Sequence, residues 1–150
     1  MKKSINKILE DDRFFIDLVD SINRAKKEIL ISTYLFYMGN SENNNALKVI
    51  TALGKASKRK VKVKILVEKH KDEEFKRTIS YIKSKGIQVK VYNSSKINHE
   101  KVIVIDKEFA YIGSHNMAHN SLSGVNNEIS VRINSKIIAN KLYSRIIRKW

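Results

Sequence analysis

The stretch "NHEKVIVIDKEFAYIGSHN", residues 98–116, places an unbroken apolar run between two short polar pairs. His99 and Lys101 stand two apart, so in an extended chain both point to the same face. The "VIVI" that follows is apolar at consecutive positions, the pattern of a strand covered on both sides and therefore central in its sheet. After "FAYIG", Ser114 and Asn116 repeat the spacing of two, and Gly113 lets a second backbone come close. Glu128 precedes a third strand, "ISVRI", with parity opposite to Ile129, Val131 and Ile133. His99, Lys101, Ser114, Asn116 and Glu128 are thus expected to meet at one edge of a hydrophobic sheet. Asp106 has the other parity from His99 and Lys101, and reads as a brace at the strand end.

Towards the N-terminus, apolar positions Phe14, Phe15, Leu18, Val19 and Ile22 recur at helical spacing. "EILISTYLF" (28–36), "VKVKILVE" (61–68) and "IQVKVY" (87–92) read as strands. Between them lie two helical segments. "GNSENNN" supplies the start of "ALKVITALGKASK", and "DEEFKRTISYIKSKG" ends at Gly86, a C-cap residue. The chain closes with the helical "KIIANKLYSRIIRKW". Helices alternate with strands early, while strands cluster late. The expected fold is an α/β sandwich with a mixed β-sheet flanked by helices on both sides. With no proline and no long linker, residues 1–150 are expected to form one domain.

The 150 residues include 30 Lys and Arg against 15 Asp and Glu, for a net charge of +15. Such a field attracts polyanions, whether nucleic acid or an anionic membrane surface. The absence of cysteine excludes disulfides and thiolate metal sites. The four histidines form no familiar zinc spacing, so neither a metal nor another cofactor is expected. No apolar run approaches the roughly 20 residues that span a bilayer, so stable membrane insertion is not expected. The basic start is interrupted by acidic residues before a signal region develops, which implies a cytoplasmic protein.

A lysine with a Ser/Asn pair can hold non-bridging phosphate oxygens and balance charge as it shifts during displacement. A histidine of ordinary pKa can attack phosphorus when neutral or protonate a departing alcohol when charged. A glutamate on the far ring nitrogen would fix the tautomer.

"HEKVIVID" fits H-x-K-x-x-x-x-D, and "GSHN" fits the G-S-x-N that follows it. On these motifs the chain resembles the phospholipase D superfamily, most closely its small bacterial nucleases with one motif copy. The resemblance implies metal-free phosphodiester cleavage through a phosphohistidine. His99 would be the nucleophile, Lys101 the phosphate-binding cation, and Ser114 and Asn116 the rest of the phosphate pocket. Asp106 would be the structural acid of the catalytic set and Glu128 the partner of His99. The chain departs from the family in lacking the common Arg-Gly before the second strand and in a short "SLSGVNNE" segment.

In-line displacement needs imidazoles on opposite sides of phosphorus, and only His99 fits the motif. His70 reads as a surface residue, His115 as turned away from Ser114 and Asn116, and His119 as a loop residue within reach of substrate. A second copy of the chain is therefore expected to supply the missing ring, making a homodimer. Within "KASKRKVKVK", Lys58, Arg59 and Lys60 are candidates, with His119, for nucleic-acid contact. Tyr34 and Phe36 read as core residues. The expected activity is endonucleolytic hydrolysis of DNA, and of RNA as a second substrate, with low sequence specificity. A phospholipase or phosphatidyltransferase acting on phospholipid is the first alternative, and a non-catalytic nucleic-acid-binding module the second.

Overall fold

The computed structural model describes residues 5–150; residues 1–4, which carry the basic start read above, lie outside them. In chain order the elements are β1 (Lys7–Glu10), α1 (Asp12–Arg24), β2 (Glu28–Thr33), α2 (Asn45–Lys58), β3 (Lys62–Glu68) and α3 (Glu73–Ser84). They continue with β4 (Gln88–Tyr92), β5 (Lys101–Ile105), β6 (Phe109–Gly113), α4 (His119–Leu122), β7 (Ile129–Ile133) and α5 (Lys136–Ile147).

Helix starts are set by side chains that accept orphan backbone N–H groups. Asn44 caps α2 from 2.9 Å to Ala46 N, Asp72 caps α3 at Phe75 N, and Ser135 caps α5 at Ile138 N. Gly86, at φ +78°, follows the α3 C-cap in the left-handed conformation that glycine adopts without strain.

Among the described residues the strands form one mixed sheet in the order β1-β7-β6-β5-β2-β3-β4. β2, β3 and β4 are parallel, whereas β5 joins β2 antiparallel and β6, β7 and β1 continue antiparallel. This is the α/β sandwich the sequence implies, with β5 in the middle. Ile103 and Ile105 face the core built by α1, α2, α3 and α4. Val102 and Val104 face α5, packing near Ala139 and Ile146. The continuous "VIVI" therefore has the physical cause its pattern implies, cover on both sides.

The two faces are covered unequally. α5 lies over the middle of its face, so the lateral row Val102–Ile112–Val131–Ile8 runs from buried to bare. Ile112 is 40% exposed, Ile129 53% and Ile8 69%.

Three details differ from the sequence reading. β2 stops at Thr33, where its pairing with Lys101 ends, and the next residues leave the sheet so that Phe36 buries fully and bridges Met117. β1 is an added edge strand whose only inward side chain is Leu9. α4 is a helix of four residues in a segment read as loop.

Candidate functional site

Antiparallel pairing brings the ends of different strands to one edge of the sheet. Thr33 at the end of β2 faces Lys101 at the start of β5. Gly113 at the end of β6 faces Ser130 near the start of β7. His99 is exposed just ahead of β5, and Lys101 Nζ lies 3.1 Å from its Nδ1, 3.4 Å from its Nε2 and 3.0 Å from its carbonyl oxygen. Tyr34 completes this cluster, with ring centroids of Tyr34 and His99 4.7 Å apart and Lys101 Nζ 5.7 Å from the Tyr34 ring. Partial burial draws the Lys101 ammonium below the ordinary lysine value, and the Glu128 carboxylate works against that shift.

The β6–β7 side of the site depends on Gly113. A Cβ at this position would collide with the Ile129 carbonyl oxygen and with Ser130, so only glycine lets the strands close up here. That approach carries Ser114 to Ile129, whose N–H donates to Ser114 Oγ at 3.0 Å. Ser114 Oγ in turn donates to Glu128 Oε2. Glu128 also accepts from Ser121 Oγ at 3.0 Å, while its own N–H donates to Asp11 Oδ1 at 2.8 Å. Asn116 Oδ1 is buried with no hydrogen-bond partner among the described residues, so its amide oxygen is not consumed by the fold.

The expected Glu128–His99 contact is not made within the chain. The Glu128 carboxylate is taken by two serines, while the His99 ring meets Lys101 and Tyr34. Glu128 thus sets Ser114 and acts on Lys101 through charge.

A buried polar net that sequence reasoning missed lies on the other side of His99. Its neighbour Asn98 donates from the backbone to Glu68 Oε2 at 2.7 Å and from Nδ2 to Ser32 Oγ at 3.1 Å. Its other neighbour, Glu100, accepts from Ser32 Oγ, from Arg145 Nε at 2.7 Å and from Lys149 Nζ at 2.6 Å. Lys149 also reaches Asn98 Oδ1 at 3.2 Å. Burial raises the Glu100 carboxyl, but hydrogen bonds and charge from Lys149 and Arg145 outweigh it and hold the group below the usual glutamate range. The residues on both sides of His99 are therefore fastened to the end of α5. The acid within H-x-K was the available signal, but its partners lie some 45 residues away in sequence.

The remaining candidates fall elsewhere. Asp106 sits at the far end of β5, not among the catalytic groups, and accepts the backbone N–H groups of Lys26, Lys27 and Glu28 at 3.0, 2.7 and 2.9 Å. Lys58, Arg59 and Lys60 precede β3, whose length of about 20 Å separates them from the site edge. Arg59 is used structurally, donating to the carbonyls of Ile22 and Ala25 at the end of α1.

Each of the other three histidines has a ring nitrogen engaged by the fold. His119 begins α4, and its Nδ1 accepts the backbone N–H of Asn45 at 3.0 Å. His115 is buried against Phe14 between Ser130 Oγ and the Asp11 carbonyl, with burial drawing its pKa down. His70 is not the surface residue its sequence neighbours suggested. It is half-buried, with Nε2 2.8 Å from the Tyr34 carbonyl and its ring edge-on to Tyr34 and Phe75. It backs the tyrosine that touches His99.

Beside His99 a groove of about 460 Å³ runs between the loop before β5 and the end of α5. Among the described residues no cluster of three or more His, Asp or Glu side chains could hold a metal ion, and no helix is long and apolar enough to cross a membrane. The edge thus presents one free imidazole with an ammonium against it, and a hydroxyl and a carboxamide on the neighbouring strand. That set can hold an oxyanion and offer a nitrogen nucleophile.

Known proteins share this fold. The family described as "Cardiolipin synthase, PLD-like domain" matches residues 18–150. The cardiolipin synthase of Clostridium perfringens (strain 13) is 28% identical over 126 residues, covering 77% of this chain and 26% of that protein. The chain therefore spans about a quarter of the length of this curated relative. Among solved structures, Nuc from Salmonella typhimurium, a phospholipase D family member, superposes with a TM-score of 0.85 at 23% identity, over 97% of this chain and 93% of that one. NucT from Helicobacter pylori does so with a TM-score of 0.77 at 19% identity, over 97% and 94%.

Proposed function

From the premise that the chain belongs to the PLD-like domain family of the phospholipase D superfamily, we propose that it is a metal-independent endonuclease of low sequence specificity acting on DNA, with RNA as a second substrate. Members of this superfamily transfer or hydrolyse phosphodiesters. The observation that carries the reading is the joint placement of His99 and Lys101 at the open end of β5 with Ser114 and Asn116 just past the end of β6.

In this mechanism Lys101 Nζ and the Asn116 Nδ2–H group donate to the non-bridging oxygens of the scissile phosphate, and the Ser114 hydroxyl joins them by turning its proton away from Glu128. A ring nitrogen of His99 attacks phosphorus, a P–N bond forms, and the bond to the leaving oxygen breaks. That oxygen takes a proton from the His99 of a second copy, placed in line on the opposite side. Water then attacks phosphorus, gives its proton to the second ring, and the P–N bond breaks to release the product. Since His99 is the one described histidine beside Lys101 at this sheet edge, while His70, His115 and His119 each give a ring nitrogen to the fold, a twofold assembly would supply the second ring. The bare row ending at Ile8, with Ile129 beside Ser114, is the kind of surface such an assembly covers.

Nucleic acid is favoured by the net charge of +15, because binding to a polyphosphate is dominated by such charge. The superposition with Nuc over 97% of this chain supports the nuclease reading. The cardiolipin synthase similarity supports the second reading, phosphatidyl transfer on phospholipid.

The test is cleavage of plasmid DNA in excess EDTA by wild type and His99→Ala. EDTA-resistant cleavage that the substitution abolishes supports the nuclease. Turnover of phosphatidylglycerol vesicles with DNA left intact moves the assignment to lipid, and salt-sensitive DNA binding without cleavage moves it to a binding module.

A further inference from the structure

The groove beside His99 has the composition of a second anion site. Its walls come from two separate parts of the chain, the loop before β5 with Lys96 and Ile97, and the end of α5 with Arg145 and Arg148. Of the basic groups there, Lys149 is turned inward onto Asn98 and Glu100. Arg145 meets Glu100 through Nε alone. Its terminal nitrogens, together with Lys96 and Arg148, face no carboxylate among the described residues. Cations in a last helical turn are favoured by the helix dipole, which accounts for some of this charge. It does not account for Lys96, which enters from the opposite wall.

The volume of about 460 Å³ exceeds what a lone phosphate needs and falls within the roughly 300–1,000 Å³ of sites for nucleotide-sized ligands. Tyr92 and Ile97 add the apolar surface on which a base can rest. His99 lines the same groove, so a chain lying in it leads directly to the nucleophile.

We propose that this groove is the subsite for the nucleotide next to the scissile phosphate in a single-stranded substrate, with Lys96, Arg145 and Arg148 neutralising its neighbouring phosphate. The proposal rests on the nuclease reading and adds to it where the strand runs and which strand form is preferred. The subsite is separate from Lys101, Ser114 and Asn116, which hold the phosphate that reacts.

The experiment compares Lys96→Ala/Arg148→Ala with wild type on two substrates in EDTA. One is bis(p-nitrophenyl) phosphate, which carries a single phosphodiester, and the other a single-stranded decanucleotide. The expected result is a rise of about tenfold or more in KM for the oligonucleotide, with kcat and the small-ester reaction changed less than about twofold. The salt dependence of oligonucleotide binding should flatten by about 0.7 for each phosphate no longer neutralised, and Lys96→Arg/Arg148→Lys should restore both. An unchanged oligonucleotide KM overturns the subsite and leaves the nuclease reading standing. Equal losses on both substrates overturn it as well, because the effect would then lie in the chemistry or the fold. Wild type that hydrolyses the small ester or phosphatidylglycerol vesicles but no oligonucleotide removes the nuclease reading, and the subsite with it.

Discussion

The two ends of β5 carry similar kinds of residue and use them in opposite ways. At one end Asp106 gives its carboxylate to three backbone N–H groups, fixing the entrance of β2. At the other, His99 stands exposed against Lys101 and Tyr34, and Asn116 keeps a buried oxygen unpaired among the described residues. Polar groups fully satisfied by the fold stabilise it and do nothing else. Groups the fold leaves exposed or without a partner remain available to a ligand. The strand separates the two purposes by its own length.

Substitutions at each end test that division. The largest expected effect is His99→Ala, which should lower phosphodiester turnover by about 10³-fold or more while leaving the melting temperature within about 1 °C, measured by cleavage assay and calorimetry. A large loss of stability would break the contrast. Asp106→Ala should do the reverse. Three N–H groups lose a charged acceptor, so about 2 kcal/mol and roughly 6 °C in Tm should go, with kcat per folded molecule retained.

Glu100→Gln tests the net beneath the active end and should cost about 1 kcal/mol at pH 7. The folded Glu100 carboxyl lies below its unfolded value, so its stabilisation is complete above the ordinary glutamate value of about 4.3. It is lost as pH falls through the depressed folded value. The gap between wild type and Glu100→Gln in urea titrations should therefore close as pH drops from 5 to about 3. A gap independent of pH would show that shape rather than charge holds the net. The smallest effect is expected from Lys58→Ala/Lys60→Ala. These cations lie at the braced end, so the oligonucleotide KM should change less than about twofold, against about tenfold for Lys96→Ala/Arg148→Ala.

The central strand, the pairing of polar residues at its mouth and the role of Gly113 were all readable, because each depends on neighbours two residues apart or on an unbroken apolar run. β1 was not, since "KILE" has one inward side chain and exists as a strand only because β7 offers it an edge. Tyr34 and His70 were misjudged for a related reason. Their sequence surroundings are those of a strand end and a charged loop, and only the turn of the chain after Thr33 stacks them behind His99. The basic run at 58–60 drew attention by density, yet Lys96, Arg145 and Arg148, scattered in sequence, meet in space. Local patterns report pairs within an element, while sites assembled from loops and helix ends depend on topology.

His70, His115 and His119 each give a ring nitrogen to the fold, and under the proposed mechanism His99 is the one ring of these 150 residues that reacts. If the second ring comes from another copy, as proposed, output depends on encounters between chains as well as on their number. At high dilution, halving the protein should cut the rate to about a quarter, since mass action governs the pairing. A cell that made few copies would hold the catalyst silent, and a modest rise in dosage would switch it on without any dedicated inhibitor.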